Sequence, residues 1–323
     1  MSNPKEIILE RLRNEDGFVS GQDLSDLLGI SRAAVSKHVK GLRETGYQIE
    51  SVPRHGHRLV ASVDTPLEVE VRPYLDTRTI GSQYIFNDSM SSTNNYLDEL
   101  PLTECSDGMV VVADTQSAGR GRMKRTWFSP PAANLYFSVL LQPARPPHEV
   151  PQLALVAAAS IIDTLKTITP SVDAGIKWPN DILVSKKKLA GVLCEMQAET
   201  DVVHKAILGI GININIPVKS FPKELRDQST SLLAETGKPL HRPVVLAALL
   251  NSIDRHYNAW LEHGLDSSLP LIKKHLLMVD TDVAINSFGK KVKGTVQGIS
   301  PDGGLIIKSG NKKQTVYSGE MNT

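Results

Sequence analysis

The sequence is poor in cysteine, in net charge and in long apolar runs. Of its 323 residues only Cys105 and Cys194 are cysteines, which excludes a disulfide scaffold and makes a cysteine-rich zinc site unexpected. Lys and Arg number 36 against 35 Asp and Glu, so nucleic-acid binding would have to come from a local basic patch. Apolar runs such as Leu153–Ala159 are far shorter than the ~20 residues of a membrane span. The N-terminus carries acidic residues and predicts a helix, not a signal peptide, so we expect a cytoplasmic protein with no membrane association.

What the sequence does contain is the composition of an ordinary globular protein. Hydrophobic residues make up 41% and charged residues 22%, which excludes a disordered chain. At ~100–200 residues per domain, the length predicts two or three domains. Changes in the sequence pattern along the chain favour three domains, at residues 1–63, 64–276 and 277–323. A polar linker from Ser62 to Pro66 is the first boundary.

The first 63 residues carry the pattern of a winged helix-turn-helix. Ser20 begins a capping box for a short helix that Gly29 ends, and Ser31 caps a second helix that runs from Arg32 to about Glu44. Two short strands are expected to follow, at Tyr47–Val52 and Arg58–Ala61. The turn between these strands would form the wing.

The second helix of this unit has an apolar face and a basic face, and no acid occurs between Leu27 and Arg43. Such a helix can lie in the major groove of DNA, where Arg and Lys meet phosphates and base edges. The residues predicted to contact DNA are Arg32, Ser36, Lys37, Lys40 and Arg43 on the helix and Arg54 at the wing tip. The alternative is a solvated basic helix in a protein interaction module, since such patterns give false positives.

The rest of the chain predicts a mixed α/β domain followed by a small β domain. Strands are expected at Met109–Ala113, Leu135–Leu141, Ile182–Val184, Leu189–Met196 and Ala206–Ile214. Helices are expected at Thr93–Glu99, Pro151–Ile168 and Arg242–His263. From about Met278, short apolar runs broken by glycines predict a small β-barrel.

The most informative stretch runs from Asp114 to Trp127 and contains the sequence GRGRMKR. It has four basic residues in the six positions from Arg120 to Arg125, and its two glycines permit a close backbone approach that a Cβ would block. This combination suits a polyanion such as a phosphate, or a carboxylate that meets a phosphate. Neither the P-loop pattern nor the dinucleotide-binding fingerprint is present. A mobile basic surface loop is the alternative.

Three further segments carry polar residues in places where a ligand could use them. In the first, KWPND precedes a tight turn that leads to Lys188 at the start of a strand, although a lysine-rich turn is usually just solvated. In the second, GIGININ, glycines in a strand indicate the close approach of another backbone or a ligand, and the buried asparagines need partners. The third, SSTNNY from Ser91, begins a helix, and simple N-capping is the alternative for it.

Together these segments resemble the biotin–protein ligase family, in the bifunctional bacterial form in which the ligase is also the repressor of the biotin operon. The stretches that carry the resemblance are SSTNNYL, QSAGRGR, WFSP, ANLYFSVLL, KWPND, KLAGVL and GIGININ. They occur in the family's order, and the resemblance covers nearly the whole chain.

The resemblance implies an α+β protein with three parts. These are an N-terminal winged helix-turn-helix, a central catalytic domain with a mixed sheet like that of class II synthetases, and a C-terminal SH3-like barrel. It also implies biotin–[acetyl-CoA-carboxylase] ligase activity. Biotin and ATP, with Mg²⁺, would give biotinoyl-5′-AMP, and a lysine of a biotin carboxyl carrier domain would then accept the biotin. The expected partners further include operator DNA and a second copy of the chain when the adenylate is bound.

The resemblance also implies roles for individual residues. Arg120, Gly121 and Arg122 would close over biotin and the adenylate. Lys188 would bridge the biotin carboxylate and the α-phosphate, and would be catalytic together with Arg120 and Arg122. The remaining binding residues would be Ser92, Thr93, Asn94 and Gln116 at the biotin head, Trp127 against the adenylate, Asn213 near ATP, and Asp181 near adenine or Mg²⁺. No metal ligands are assigned.

One departure from the family pattern bears on the loop. The common form reads GRGRRGR, whereas this chain has Met123 and Lys124 in place of Arg and Gly. Loss of that glycine is expected to change how the loop orders over the adenylate. Two other functions stay open at this point: a ligand-sensing repressor without ligase turnover, and a ligase for another carrier acyl group such as lipoate.

Overall fold

The structure, a computed structural model, describes residues 3–199, 201–287 and 290–322. The chain divides into two compact units, Met1–Thr65 and Pro66–Thr323. The first unit contains three helices and a two-stranded antiparallel sheet. They are α1 (Pro4–Arg13), α2 (Gly21–Leu28), α3 (Arg32–Glu44), β1 (Gln48–Val52) and β2 (Gly56–Ala61).

The helices of the first unit begin and end where the caps in the sequence predict. Ser20 Oγ accepts the Asp23 N–H and Ser31 Oγ accepts the Ala34 N–H, each satisfying a donor that has no partner within its helix. Gly29 ends α2 in the left-handed conformation, at φ 64°, which glycine adopts at little cost. Ile8, Leu12, Leu24, Val35, Val39 and Leu42 are buried between the helices. The winged helix-turn-helix prediction is therefore confirmed, with both strands within two residues of the expected bounds.

A seven-stranded mixed sheet is the centre of the second unit, with the strand order β3-β4-β5-β9-β8-β7-β6. Among the described residues of this sheet, β3 and β4 pair in parallel, and the other neighbouring strands pair antiparallel. The strands are β3 (Tyr84–Met90), β4 (Met109–Gln116), β5 (Leu135–Leu141), β6 (Ala174–Lys177), β7 (Asp181–Val184), β8 (Lys187–Glu199) and β9 (Val202–Ile212).

Helices cover both faces of this sheet because successive strand residues point to opposite sides. On one face, Val110, Val112 and Phe137 belong to the main core, where the two long helices α6 and α9 pack. On the other face, Met109 and Val111 pack with Leu97 of α5. The helices are α4 (Glu68–Val71), α5 (Thr93–Glu99), α6 (Leu153–Ile168), α7 (Lys223–Arg226), α8 (Leu232–Thr236), α9 (Arg242–His263) and α10 (Leu269–His275). Short 3₁₀ turns lie at Arg72–Tyr74, Leu102–Glu104, Arg122–Lys124, Val150–Gln152, Val218–Ser220 and Gly264–Ser267.

The C-terminal part of the second unit is a five-stranded antiparallel sheet with the order β13-β12-β11-β10-β14. Its strands are β10 (Asp282–Ser287), β11 (Lys290–Ile299), β12 (Leu305–Ser309), β13 (Lys312–Val316) and β14 (Glu320–Asn322). Its buried side chains, among them Ile285, Val296 and Ile307, are continuous with the main core. The indole N–H of Trp178 donates to the Gly303 carbonyl at 3.0 Å, so the motif KWPND is attached to this sheet.

The strands and helices expected in the middle domain are present, with differences in some bounds and with elements that were not predicted. Strands β3 and β6 were not predicted, because the polar sequence YIFNDSM and the four residues AGIK lack a long apolar alternation. β8 extends to Glu199, beyond the expected Met196. β9 ends at Ile212 and not at Ile214, since the backbone N–H of Ile214 is taken by the side chain of Asn134.

One segment, Val150–Ile168, is long and apolar enough to span a membrane by length and composition, with a mean hydropathy of 1.2. It is 61% buried inside the protein. Most of it is α6, which packs against α9 and the seven-stranded sheet. A buried core helix passes this test as readily as a membrane span.

Candidate active site and DNA-contacting face

A cavity of about 610 Å³ opens on the face of the seven-stranded sheet that carries α5. It brings together the three predicted catalytic residues Arg120, Arg122 and Lys188, although they lie on separate segments of the chain. The other predicted binding residues that line it are Thr93, Asn94, Gln116, Gly121, Trp127, Asp181 and Asn213. Ser92 is the exception: as the N-cap of α5 it is buried, with its carbonyl bound to the Tyr96 N–H, and it does not line the cavity.

One end of the cavity is a hydrogen-bonded cluster that we call the polar end, formed by Thr93, Asn94, Gln116 and Ser138. The Thr93 N–H donates to Gln116 Oε1 at 2.9 Å, which fixes the amide of Gln116. Ser138 Oγ lies 2.6 Å from Asn94 Oδ1 and 2.7 Å from Thr93 Oγ1. Because a carbonyl oxygen only accepts, the Ser138 hydroxyl donates to Asn94 and accepts from Thr93. The polar end thus has fixed donors and acceptors in a buried setting.

The glycine in the middle of β9 makes room for the polar end. A Cβ on Gly209 would lie 2.0 Å from Asn94 Oδ1, so any larger residue would displace the amide. Glycines in this strand were expected to allow the approach of a backbone or a ligand. The structure corrects this expectation: side chains of the site itself occupy the space.

The same correction applies to the indole of Trp127, which lies on a glycine pair. Gly191 of β8 and Gly211 of β9 are register partners. A Cβ on Gly211 would lie 2.4 Å from the Trp127 ring, and one on Gly191 would lie 2.9 Å from it. The ring can therefore pack against these two strands only because both partners lack a side chain. Within the described chain, the buried Trp127 Nε1–H, which faces Gly211, has no hydrogen-bond acceptor.

Lys188 is held next to Trp127 by an acidic partner. Its Nζ lies 2.8 Å from Asp181 Oδ1 and 5.2 Å from the centre of the Trp127 ring. Asp181 and Lys188 belong to β7 and β8, which pair with a register shift between Ile182 and Leu183. The ion pair holds the lysine side chain where it lines the cavity.

Arg122 occupies a separate position from Arg120. Its guanidinium donates to Asn180 Oδ1 at 3.2 Å and to the Gly319 carbonyl at 3.5 Å. Burial lowers the pKa of Arg122, Asp181 opposes this shift, and Arg125 adds to it. Arginine nevertheless stays protonated at neutral pH, so Arg122 places a partly desolvated cation in the cavity.

The segment that carries these arginines, residues 119–127, which we call the basic loop, is ordered by its own backbone. The Gly121 N–H donates to the Arg125 carbonyl at 2.7 Å, and the Trp127 N–H donates to the Gly119 carbonyl at 2.8 Å. A Cβ on Gly119 would lie 2.7 Å from the Trp127 carbonyl oxygen, but one on Gly121 would meet nothing closer than 3.5 Å. In this conformation a Cβ would clash at Gly119, as expected, whereas Gly121 has room for one.

The two substituted positions of the basic loop have left-handed backbone conformations. Met123 has φ 56° and Lys124 has φ 60°, a region that favours glycine. Lys124 stands where the pattern of the resembled family has glycine, and a residue with a Cβ adopts this conformation at an energetic cost. Met123 is 74% exposed and contributes no core packing.

Asn213 lines the cavity, but the polar atoms of its side chain are hydrogen-bonded within the protein. Its Nδ2 donates to the Thr230 carbonyl at 3.0 Å, and its Oδ1 lies 3.5 Å from Asn134 Nδ2. It therefore fixes the segment that follows α7, which forms one wall of the cavity through Asp227, Gln228 and Ser229.

Glu195, Ser138 and Asn180 hold predicted site residues in place, and none of the three was assigned to the site from the sequence. Glu195 accepts from Asn94 Nδ2 and from Arg120 Nη2, each at 2.8 Å. Ser138 joins the polar end, and Asn180 binds Arg122. Glu195 and Ser138 interrupt apolar strands, and this was the available signal, since a polar residue inside such a strand needs a partner.

The described residues contain no group of three or more His, Cys, Asp and Glu side chains arranged to hold a metal ion. Two carboxylates, Asp181 and Asp227, line the cavity. Oxygen donors of this kind suit Mg²⁺, which commonly binds one or two carboxylates together with substrate phosphates.

In the first unit, helix α3 presents the predicted basic residues on its surface. Arg32, Ser36, Lys37 and Lys40 are exposed, while Val35, Val39 and Leu42 are buried on the opposite face. Lys40 lies 4.0 Å from Glu44, an exposed contact of little energetic weight. Arg54, at φ 68°, forms the turn of the wing.

Arg43 differs from the other basic residues of α3 because its guanidinium binds the wing. Its Nε donates to the Ile49 carbonyl at 2.8 Å and its Nη2 donates to Ser51 Oγ at 2.6 Å. Ser51 Oγ in turn lies 2.5 Å from His57 Nδ1. Burial, and then the charge of Arg43, lower the pKa of His57. Arg43 thus connects α3 to β1 of the wing directly and to His57 of β2 through Ser51.

Three family models match the chain in the order in which the parts occur. The Biotin/lipoate A/B protein ligase family matches residues 86–213, which include the cavity residues from Thr93 to Asn213. An HTH domain matches residues 5–58. The Biotin protein ligase C terminal domain matches residues 282–322.

The chain is also similar over most of its length to curated and solved proteins. It is 37% identical to the Bifunctional ligase/repressor BirA of Bacillus subtilis over 304 residues, which are 94% of this chain and 93% of that protein. It is 29% identical to the protein of the same name from Escherichia coli, over 94% of this chain and 92% of that protein. The solved biotin protein ligase from Aquifex aeolicus in complex with biotin and ATP is 33% identical, with a TM-score of 0.65, over 75% of this chain and 98% of that chain.

Proposed function

The chain belongs to the biotin protein ligase family, and from that premise we propose that it joins biotin to ATP and transfers biotin to a carrier lysine. In the first step a biotin carboxylate oxygen attacks the α-phosphorus of ATP, giving biotinoyl-5′-AMP and pyrophosphate. In the second step a lysine ε-amine of a biotin carboxyl carrier domain attacks the acyl carbon. Biotinyl-lysine forms and AMP leaves with the bonding electrons. The observation that carries the proposal is that Arg120, Arg122 and Lys188 line one cavity with the polar end.

The first step joins two anions, so its barrier is largely electrostatic. No protein nucleophile is needed; cations must offset the repulsion and stabilise the charge that develops on the phosphate oxygens. In the proposal, Lys188 bridges the biotin carboxylate and the α-phosphate, and Arg122 approaches the phosphate. The Asp181 partner holds the lysine in position until the anionic substrates replace or join that contact.

The polar end is the proposed site of the biotin head. A ureido group has N–H donors and a carbonyl acceptor, and Thr93, Asn94 and Gln116 offer a fixed set of both kinds. The buried setting rejects ligands that leave these groups unpaired. This favours biotin over lipoate, whose dithiolane ring carries no N–H donor and no carbonyl.

The nucleotide is proposed to occupy the other part of the cavity, between Trp127 and the wall after α7. The indole that packs on the Gly191–Gly211 pair offers an apolar surface to the adenylate. Mg²⁺ would enter with the ATP phosphates, with Asp181 or Asp227 as the available protein carboxylates. When bound, the ion would offset phosphate charge during the attack.

The first unit is proposed to bind operator DNA, so that the protein is also a repressor that responds to biotin. Arg32, Ser36, Lys37 and Lys40 are exposed on one helix, as a major-groove reader requires. Two such units in a homodimer would match a two-fold operator. In the proposal, dimerisation follows adenylate binding and takes place in the cytoplasm, where ATP and the carrier are present.

The decisive experiment incubates the full chain with biotin, MgATP and a purified biotin carboxyl carrier domain, then measures the mass of the carrier. We expect a gain of one biotin on one lysine, and no gain when lipoate replaces biotin. A biotin-dependent exchange of pyrophosphate into ATP, measured without the carrier, isolates the first step. No exchange and no mass gain would leave only a ligand-sensing repressor, and a gain from lipoate would assign a different acyl substrate.

Sedimentation velocity and operator binding test the regulatory half. We expect the chain with biotin and MgATP to sediment as a dimer and to bind an operator duplex more tightly than the chain alone. An unchanged sedimentation coefficient together with unchanged DNA affinity would contradict the repressor proposal and leave the ligase proposal standing.

A further inference from the structure

Glu195 is a carboxylate next to a cavity that is otherwise arranged for anions. It lies on β8, on the same face of the strand as Gly191 and Leu193, which line the cavity. Glu195 itself does not line the cavity, and its side chain is 33% exposed. One of its oxygens, Oε2, accepts from both Asn94 Nδ2 and Arg120 Nη2 at 2.8 Å. A single carboxylate therefore connects the polar end to the basic loop.

The contact with Asn94 determines which way that amide faces. A carboxylate accepts hydrogen bonds and donates none, so the amide must turn its NH₂ group to Glu195 and its oxygen to Ser138. Gly209 leaves room for the amide oxygen against β9, and a Cβ there would lie 2.0 Å from it. The hydrogen bond to the Glu195 carboxylate therefore fixes the orientation of the Asn94 amide within the polar end.

The contact with Arg120 holds the start of the basic loop next to the same amide. Arg120 also forms an isolated β-bridge with Thr126, which closes the loop on itself. The two contacts on Oε2 are charge-assisted and have the short lengths typical of strong hydrogen bonds. An exposed ion pair alone would contribute little, but this one shares its oxygen with a buried amide.

We propose that Glu195 is a positioning residue that orients Asn94 for the ligand head and, through Arg120, holds the basic loop in place before the ligand binds. This inference rests on the proposed function, because it names biotin as the ligand of the polar end. Glu195 acts through Asn94 and Arg120 and is not assigned any contact with the reacting atoms.

The test compares Glu195→Gln with Glu199→Gln in the full chain. Glutamine keeps the size of the side chain but offers an NH₂ group as well as an oxygen, so it no longer dictates the orientation of Asn94. Glu199 lies on the same strand, and its side chain is 86% exposed. Biotin affinity is measured by calorimetry without ATP. Loop order is measured as amide hydrogen exchange over residues 119–127, and thermal unfolding checks that each variant folds.

For Glu195→Gln we expect biotin affinity to fall about tenfold or more, as loss of one charge-assisted interaction would cause. We expect faster exchange in the basic loop and a KM for ATP that stays within about twofold. Glu199→Gln should match the wild type in every measurement. In the double variant Arg120→Gln/Glu195→Gln, the loop should exchange no faster than in Arg120→Gln alone, because both changes remove the same contact.

Each other outcome overturns the inference. Equal biotin affinity in wild type and Glu195→Gln would show that Glu195 does not orient Asn94, and unchanged exchange would show that it does not hold the loop. Parallel loss of biotin affinity, ATP affinity and melting temperature would reduce Glu195 to a structural role. If wild type itself binds no biotin, the proposed function fails first, so the two failures are distinguishable.

Discussion

At the scale of single residues, the site depends on charges that the protein holds in place before any ligand arrives. Lys188 and Arg120 each have an acidic partner, Asp181 and Glu195, and Arg122 is held by neutral oxygens. A carboxylate beside a cation keeps it in one conformation and lowers its repulsion toward the other cations of the cavity. The cost is that an anionic substrate must compete with that carboxylate.

Lys188→Ala should remove most of the ligase activity and leave the fold intact. The side chain is 35% exposed and contributes little to the core, whereas loss of a cation at the developing charge typically costs about 10²–10³-fold in rate. The measurement is biotin-dependent pyrophosphate exchange, with circular dichroism to check folding. Lys187→Ala is the matched control, because Lys187 is adjacent on β8 and does not line the cavity. Wild-type exchange by Lys188→Ala would contradict the assigned role.

Arg43→Ala should affect DNA binding differently from Arg32→Ala and Lys37→Ala. The exposed residues Arg32 and Lys37 are proposed phosphate or base contacts, so removing either should lower the salt dependence of log K by about one unit of slope. Arg43 hydrogen-bonds the wing, so its removal should weaken binding to the specific duplex while the slope stays as in wild type. Operator titrations at several salt concentrations measure both quantities. If the salt dependence of log K falls in Arg43→Ala as much as in Lys37→Ala, Arg43 contacts DNA directly and the assigned role in the wing is wrong.

At the scale of elements, the cavity exists because two central strands lack side chains where ligand-binding groups must lie. β8 and β9 present Gly191, Gly209 and Gly211 on one face of the sheet, and α5 and the basic loop place Asn94 and Trp127 on them. The strands themselves are otherwise strongly apolar. The binding site therefore requires glycine at these three positions of β8 and β9, where packing alone would favour a larger residue.

Alanine substitutions on β9 should separate the two halves of the site. In Gly209→Ala the new Cβ would collide with Asn94, so we expect biotin affinity to fall by at least about tenfold while nucleotide binding changes little. In Gly211→Ala the Cβ would collide with Trp127, so ATP and adenylate binding should weaken more than biotin binding. Calorimetry with each ligand alone measures the split. Equal losses for both ligands in both variants would mean that the strand is distorted as a whole and that the halves are not separate.

The basic loop shows how an element tolerates a residue that its backbone disfavours. Lys124 adopts φ 60°, and the contacts at its ends, between Gly121 and Arg125 and between Gly119 and Trp127, hold the turn. A residue with a Cβ costs conformational free energy there. The hydrogen bonds of the loop offset that cost.

At the scale of the whole molecule, the two units predict that the proposed activities can be separated. Residues Met1–Thr65 and Pro66–Thr323 form two compact units, and the complete cavity is lined by residues of the second. A chain that begins at Pro66 should therefore retain biotin-dependent pyrophosphate exchange and lose operator binding. Exchange assays and DNA titrations on the same preparation measure this. If the shortened chain folds, by circular dichroism, but gives no exchange, the first unit is required for the chemistry.

The C-terminal sheet cannot be separated from the second unit in the same way. Its buried residues are continuous with the main core, Trp178 donates to Gly303, and Arg122 reaches the Gly319 carbonyl. The sequence predicts a domain boundary between residues 276 and 277, and this boundary stays a prediction. Because its apolar side chains pack into the main core and its loops hydrogen-bond Trp178 and Arg122, this sheet is a structural part of the site.

The sequence by itself determined most of the elements and the chemistry of the ligands, although it did not predict β3 and β6. Caps such as Ser20 and Ser31, apolar alternation such as LYFSVLL, and motifs such as GRGR and KWPND are local patterns, and local patterns fix local structure and residue type. Only the tertiary structure decided which partners meet. Glu195 reaches Asn94 across 101 positions of sequence and Arg120 across 75, and Gly191 faces Gly211 through strand register. Such contacts depend on how distant segments pack in three dimensions, so no local pattern specifies them. For the same reason the sequence did not show that Arg43 hydrogen-bonds the wing.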